Sequence, residues 1–251
     1  REACIKSMIR GEGGGSQIER MSRIDRPLPV QKVRGTFSKR GMLRFLSHME
    51  VMAVFERAIR RAGIPIAFSR GFTPHMRLRF GHPAGVGVES LAEVVEMDLK
   101  EKVPPEELMR SLNAQLPNGL KLLSITELPM DHPPPLNQRW ISTYEIGIPV
   151  GLIPPRTCKE RIKVLSLEKE VIVETSGGKL RDVRPYIIKI GSRVKGDETV
   201  IEMDLLETPS GRARPDDLIR AMFGEIDIGK VRILRLSLRP LESDQSFDQA
   251  G

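Results

Sequence analysis

The sequence predicts an α+β protein in which the element order β-α-β-β-α-β occurs twice. Three observations predict it. Apolar and charged residues take opposite faces over 92–99, the period of a half-buried strand, and 120–128, 140–148 and 231–238 read as further strands. Helical spacing follows Ser47, Pro104, Pro155 and Pro215. A stiff proline run, Pro133-Pro134-Pro135, separates two series that read in the same order. That order is the ferredoxin-like one, so the expected architecture is a tandem of ferredoxin-like domains at 31–128 and 140–241.

Residues 1–30 read as a flexible tail or a junction to an upstream domain. Gly11-Glu12-Gly13-Gly14-Gly15-Ser16 has linker composition and Arg26-Pro27-Leu28-Pro29 favours extended chain. From Lys32 to Leu46 a strand is expected, with a turn at Lys39-Arg40-Gly41. Ser47 with Glu50 three positions on fits a capping box and starts a helix. Gly63 suits its left-handed cap and Pro65 stops continuation. Met52, Phe55, Ile59 and Ala62 give this helix an apolar stripe, and Arg57, Arg60 and Arg61 fall opposite.

Past the loop Ser69–His75, apolar Met76, Leu78 and Phe80 alternate with Arg77 and Arg79, which places the arginines on the solvent face. Gly81, Gly85 and Gly87 are read as a turn, since a P-loop lysine is missing. The strand Ala92–Leu99 turns Val95, Met97 and Leu99 one way and Glu96 and Asp98 the other. Pro104-Pro105-Glu106-Glu107 opens a helix with buried Leu108, Leu112 and Leu116. Leu120–Leu128 is the last strand of this half, and 129–139 is the linker. The second half is a strand from Trp140 to Ile148, a helix from Pro155 to Leu167, and a strand pair at 180–190 and 200–206. A helix from Pro215 to Phe223 and a strand from Val231 to Leu238 complete it, with a short extra strand at 171–175. Residues 242–251 are polar and expected to be disordered.

Composition bounds the function. The chain has 251 residues, 39% hydrophobic and 29% charged, and no stretch apolar enough for a membrane span. No signal-peptide pattern opens it, and Cys4 and Cys158 suit a reducing cytoplasm better than a disulfide framework. The net charge is +7, yet residues 31–80 hold eleven Lys/Arg against two acids, Glu50 and Glu56. The basic character belongs to one place.

That place defines the candidate site. Lys39, Arg40, Arg44, Arg57, Arg60, Arg61, Arg70, Phe72, His75, Arg77 and Arg79 together suit phosphate contacts with some base stacking. Three arginines on one helix face are, alone, the mark of a solvated surface; the arginine-rich loop and strand after them turn the reading towards RNA. Arg70-Gly71-Phe72 resembles the opening of the RNP1 stretch of RNA-recognition motifs, and Thr73-Pro74 then breaks the match. Among the histidines, His132 is expected to be solvated in the linker, His82 to serve in a turn, and His48 to pack beside the helix cap. His48 and His75 are the only candidates for acid–base catalysis. No cysteine spacing for an iron–sulfur cluster, metal-spaced His/Cys set or nucleophile elbow is present.

Longer motifs carry a family resemblance. Phe37-Ser38-Lys39-Arg40-Gly41, Leu43-Arg44-Phe45-Leu46-Ser47-His48, Arg60-Arg61-Ala62-Gly63-Ile64-Pro65, Phe68–His75 and Leu116-Pro117-Asn118-Gly119-Leu120 occur in order. Weaker anchors are Asp182-Val183-Arg184 and Arg214-Pro215. Together these resemble the radical-SAM-linked protein family of unknown function, over about 31–240. Glu50 stands where that pattern carries Asp. The resemblance implies a bacterial cytoplasmic module that works with a radical-SAM protein. It places any iron–sulfur cluster and SAM in that partner or an upstream domain, with no cofactor in this chain. The expected function is an RNA-binding accessory module, with transfer or ribosomal RNA as candidate ligands. The alternatives are an RNA-processing or RNA-modifying enzyme on the same fold, and a protein–protein adaptor.

Overall fold

The computed structural model describes residues 28–174 and 178–241. Of the expected tails, 1–27 and 242–251 lie outside the described residues, as do Cys4 and Thr175.

The chain forms an α+β fold around one mixed sheet. In the first half β1 (Gln31–Lys39), α1 (His48–Arg61), β2 (Leu78–Phe80), β3 (Glu89–Leu99), α2 (Pro105–Asn113) and β4 (Leu120–Leu128) follow one another. The second half has β5 (Trp140–Pro149), α3 (Pro155–Leu167), β6 (Ile172–Glu174), β7 (Leu180–Asp182), β8 (Ile187–Lys195), β9 (Glu198–Thr208), β10 (Gly211–Arg212), α4 (Pro215–Phe223) and β11 (Arg232–Pro240). Nine strands share the main sheet, and β6 and β7 form a separate pair. The first half is ordered β4-β1-β3-β2 and the second β8-β9-β5-β11, all antiparallel. The halves meet where β11 runs parallel to β3, at Leu234↔Glu89 and Arg235↔Ser90.

Each half has its own apolar core. Phe37, Phe55 and Phe80 pack with ring centroids 4.7 to 6.2 Å apart at the centre of the first. Ile146, Ile201, Leu205 and Leu218 are buried in the second, together with the free thiol of Cys158. On α1 the buried stripe is Val51, Phe55, Ala58 and Ile59. Phe55 and Ile59 are buried as expected, while Val51 and Ala58 take the places expected for Met52 and Ala62, which are only half-buried. The capping box is present, with the Ser47 hydroxyl accepting from the Glu50 amide at 3.3 Å and the Glu50 carboxylate accepting from the Ser47 amide at 2.8 Å.

Three expectations change. After β1 the chain turns through a 3-10 helix, Gly41–Phe45, and the strand does not resume. The turn is tight: Gly119 has φ +103, and a Cβ there would lie 2.7 Å from the Arg40 carbonyl oxygen. The expected strand 180–190 is two strands split by a 3-10 turn at Arg184–Tyr186, because Pro185 cannot donate to a ladder. The linker is also more than a spacer. Lys32 Nζ donates to the carbonyls of Met130 (2.6 Å) and His132 (2.8 Å), and Trp140 Nε1 to Pro135 O. His132 Nε2 lies 3.0 Å from Arg34, so this histidine belongs to a polar network over the outer face of the sheet.

Candidate nucleic-acid interface

The loop after α1 is held at its base. Ile64–Ala67 leaves the helix; Ile66 bridges to Leu99 and Phe68 to Met76. The Ser69 amide donates to His75 O at 2.8 Å, and the His75 amide donates to Ser69 Oγ at 3.0 Å. Residues 70–74 project beyond this closure. Phe72 is fully exposed, at 101% of its reference area, between exposed Arg70 and His75. A wholly wet phenyl ring loses hydration free energy that folding normally recovers, so its position on a pinned loop is notable for binding.

The arginine face of α1 lies beside the loop base. Arg57, Arg60 and Arg61 are exposed in the last turns, where cations also suit the helix dipole. Arg60 and Phe68 line one open depression of about 380 Å³, together with Met76 and Lys100. Arg60 stands 3.7 Å from Glu56 in an exposed i,i+4 pair worth little. Arg61 donates to Gln115 O at 2.6 Å, while Arg57 and Arg70 have no ion pair among the described residues.

The rest of the expected basic surface is elsewhere or already neutralised. Lys39 is buried, 2% exposed, and donates to the carbonyls of Ala84 and Gly85. Burial pushes its ammonium below the ordinary value, partly opposed by Glu93. Arg77 and Arg79 were expected to face solvent as cations. Instead both pair with buried Asp98, and Arg79 Nε stands 3.6 Å from buried Glu96. The register explains it: Glu96 lies opposite Arg34 on one side and Arg79 on the other. The acidic residues that neutralise these cations follow residue 80, so a charge window closed there overstates the local field. Counted to residue 98, the same eleven cations face six acids.

Arg40 stands 3.7 Å from Glu89, and Arg44 lies over the Phe45 ring at 4.4 Å. Arg44 lines a second depression that shares no residue with the first. The two candidate catalytic histidines are not brought together. His75 is on the exposed loop, whereas His48 packs edge-on to Phe80 at 5.5 Å and lines a cavity of about 10 Å³ with Lys39 and Glu93. Burial holds the His48 imidazole below its usual pKa, against the pull of Glu93. Packing beside the cap is thus the role geometry gives His48.

Sequence reasoning missed a buried ionic centre at the seam of the halves. Arg235 is wholly buried, pairs with Glu93, and donates to Ser90 Oγ at 3.2 Å and His82 O at 2.9 Å. Burial opposes its charge, but Glu93, Tyr144 and Glu207 outweigh that and raise its pKa above the ordinary guanidinium value. His82 is consequently no simple turn residue: its Nδ1 is 3.9 Å from Glu207, and burial depresses its pKa. The signal was Arg235 inside the short apolar run Ile233-Leu234-Arg235-Leu236, in a strand that also carries Arg232 and Arg239. Among the described residues no group of three or more His, Cys, Asp or Glu is placed to hold a metal ion, and no helix is long and apolar enough to cross a membrane.

Comparison with known proteins gives one family. The model described as "Uncharacterized protein conserved in bacteria (DUF2344)" matches residues 32–215. No curated protein matches the chain. Among solved structures, an unknown protein from Galdieria sulphuraria is 14% identical, with 84% of this chain and 99% of that one covered at a TM-score of 0.25. DyPB from Rhodococcus jostii RHA1 is 8% identical, covering 86% and 94% at a TM-score of 0.24. The encapsulated DyP-type peroxidase from Mycobacterium smegmatis is also 8% identical, covering 86% and 96% at 0.22.

Proposed function

We propose that this chain, which belongs to the DUF2344 family of uncharacterized bacterial proteins, is an RNA-binding accessory module whose contact surface is the 69–75 loop and the arginine face of α1. One observation carries the reading: Phe72 stands fully exposed on a loop closed by paired hydrogen bonds, flanked by Arg70 and His75. An aromatic on a closed loop beside a guanidinium that has no ion pair among the described residues can stack a base while Arg70 meets its phosphate. The contact set is Arg57, Arg60, Arg61, Arg70, Phe72 and His75. Lys39 drops out because it is buried against carbonyls, and Arg77 and Arg79 because buried Asp98 neutralises them; Arg60 and Arg61 stay exposed beside their contacts with Glu56 and Gln115.

The strand orders β4-β1-β3-β2 and β8-β9-β5-β11 support reading the halves as tandem ferredoxin-like domains, 31–128 and 140–241. The resemblance to the radical-SAM-linked family suggests a radical-SAM protein as the partner to which RNA is presented, and that partner would hold the iron–sulfur cluster and SAM.

The experiment is binding of the purified chain to single-stranded RNA by fluorescence anisotropy, wild type against Phe72→Ala. Loss of one stacked base costs about 1–3 kcal/mol in affinity. Thermal stability should be unchanged, since the ring is wholly exposed. Unaltered affinity in Phe72→Ala removes the proposal. New RNA ends or altered nucleosides after incubation with the chain alone would replace the accessory role with an enzymatic one.

A further inference from the structure

We propose that the cleft between the two halves is a nucleotide site, distinct from the RNA surface above and independent of it. The cleft has a volume of about 510 Å³, within the usual range for small-molecule pockets. One wall is the 3-10 turn with Arg44 and Phe45 and the segment Val86–Glu89; the other is α4, through Asp216 in its first turn and Arg220 in its last, and the run Ile228–Ile233. Seams between packed halves are where such sites commonly form.

Two sets of groups share this cleft. Val88, Val231 and Ile233 are buried at its base, while Phe45 and Val86 keep 49% and 60% of their surface in water. Around them stand Arg44, Arg220, Lys230 and Arg232, against Glu89 and Asp216. The acids are occupied: Glu89 accepts from the Gly41 amide at 2.8 Å, and Asp216 pairs with Arg214 and Arg220. Arg232 is held by Glu145 and Glu198. Among the described residues Arg44 has no carboxylate partner. Its guanidinium donates to Gly41 O at 3.1 Å and lies over one face of the Phe45 ring. Among the described residues Lys230 pairs with the exposed Asp227 alone, 3.5 Å away.

This combination selects the ligand class. An apolar ligand would cover Phe45 and Val86 but strip water from Arg44 without replacing it, which is costly. An inorganic anion would meet Arg44 and Lys230 but leave the apolar rim wet. A ligand with a planar ring and a phosphate satisfies both: the ring stacks at Arg44–Phe45 and over Val86, and the phosphate meets Arg44 and Lys230. A free nucleotide and the phosphorylated end of an RNA share that chemistry.

Equilibrium dialysis of the full chain with adenosine 5′-monophosphate, adenosine and inorganic phosphate tests it. The monophosphate should bind at least about tenfold more tightly than either fragment, and Arg44→Ala should weaken it by about tenfold, one charge-assisted contact. Val86→Glu, at an exposed rim position, should also weaken it without affecting the melting temperature. Phe72→Ala should leave it unchanged, which separates failure of this site from failure of the RNA surface. Competition by a 5′-phosphorylated oligoribonucleotide identifies an RNA end as ligand, and its absence a free nucleotide; either supports a nucleotide site. Equal binding of the monophosphate and phosphate, or no effect of Arg44→Ala, overturns it.

Discussion

Arg235 on β11 and Glu93 on β3 form an ion pair across the seam of the two halves, with the guanidinium wholly buried. The strand pairing there is two residue pairs long, and the seam is reinforced by this pair, by the bonds to Ser90 and His82, and by Arg212 donating to Pro83 O at 3.2 Å. Removing one member leaves the other charged and dry. Arg235→Ala should destabilise the fold by about 3–5 kcal/mol, and Arg235→Met with Glu93→Leu should recover only part of that, since buried Glu207 also loses its contact with Arg235. Urea unfolding measures both. A cost below about 1 kcal/mol for Arg235→Ala would show that water reaches the centre.

Ser47 and Glu50 exchange hydrogen bonds at the start of α1, the helix that carries three of the proposed RNA contacts. Ser47→Ala should cost about 1 kcal/mol of stability while the folded variant binds RNA as the wild type does. Thermal melts and anisotropy on the same sample check the two halves of that statement. Lost binding at unchanged stability would make Ser47 a contact residue.

His48 and His82 give a pH dependence of known sign. Burial holds both imidazoles below their ordinary 6.5; Glu93 opposes it at His48 and Glu207 at His82, with Arg212 adding to the depression at each. As pH falls below 6.5 the unfolded chain takes up protons before the folded one, so stability is full above that value and declines as pH drops through the lowered folded values. His48→Gln and His82→Gln should each flatten part of this decline in melting temperature against pH. Profiles that superimpose on the wild type in both variants would remove the account.

How far this was legible in the sequence depends on where each cause lies along the chain. The capping box, the prolines opening α2, α3 and α4, and the alternation in β3 are local signals, and the elements they mark are present. The exposed loop placement of Phe72 and Arg70 was legible for the same reason, since a loop with Thr73-Pro74 cannot enter a strand. What failed was charge accounting across the sheet. Arg79 and Glu96 are seventeen positions apart in sequence but opposite in register, and no window of local charge joins them. Lys39 misled likewise: at the end of β1 it turns inward to the Ala84 and Gly85 carbonyls, and only pairing of β1 with β3 brings those within reach. The proline linker failed for the converse reason, as its packing partners Lys32 and Arg34 are about a hundred residues upstream.

The difference between the sequence-wide basic stretch and the narrower surface has a measurable consequence in salt. Binding to single-stranded RNA releases counterions in proportion to the phosphates neutralised, so log Kd against log salt has a slope set by the number of cations engaged. Were all nine cations from Lys39 to Arg79 in contact, the slope would be about 6 in magnitude; Arg57, Arg60, Arg61 and Arg70 alone give about 3. Replacing Arg57, Arg60 and Arg61 together by Ala should leave about 1 and weaken binding at every salt concentration. The matched control is Lys159, Arg161 and Lys163, all exposed on α3 and carrying the same charge. Arg232, Arg235 and Arg239 would be a poor control, since loss of buried Arg235 unfolds rather than discharges. The control triple should lower affinity slightly through net charge and leave the slope nearly unchanged. A wild-type slope near 6, or equal loss of slope from both triples, would return the interface to the broad surface and remove the special standing of the α1 face and its loop.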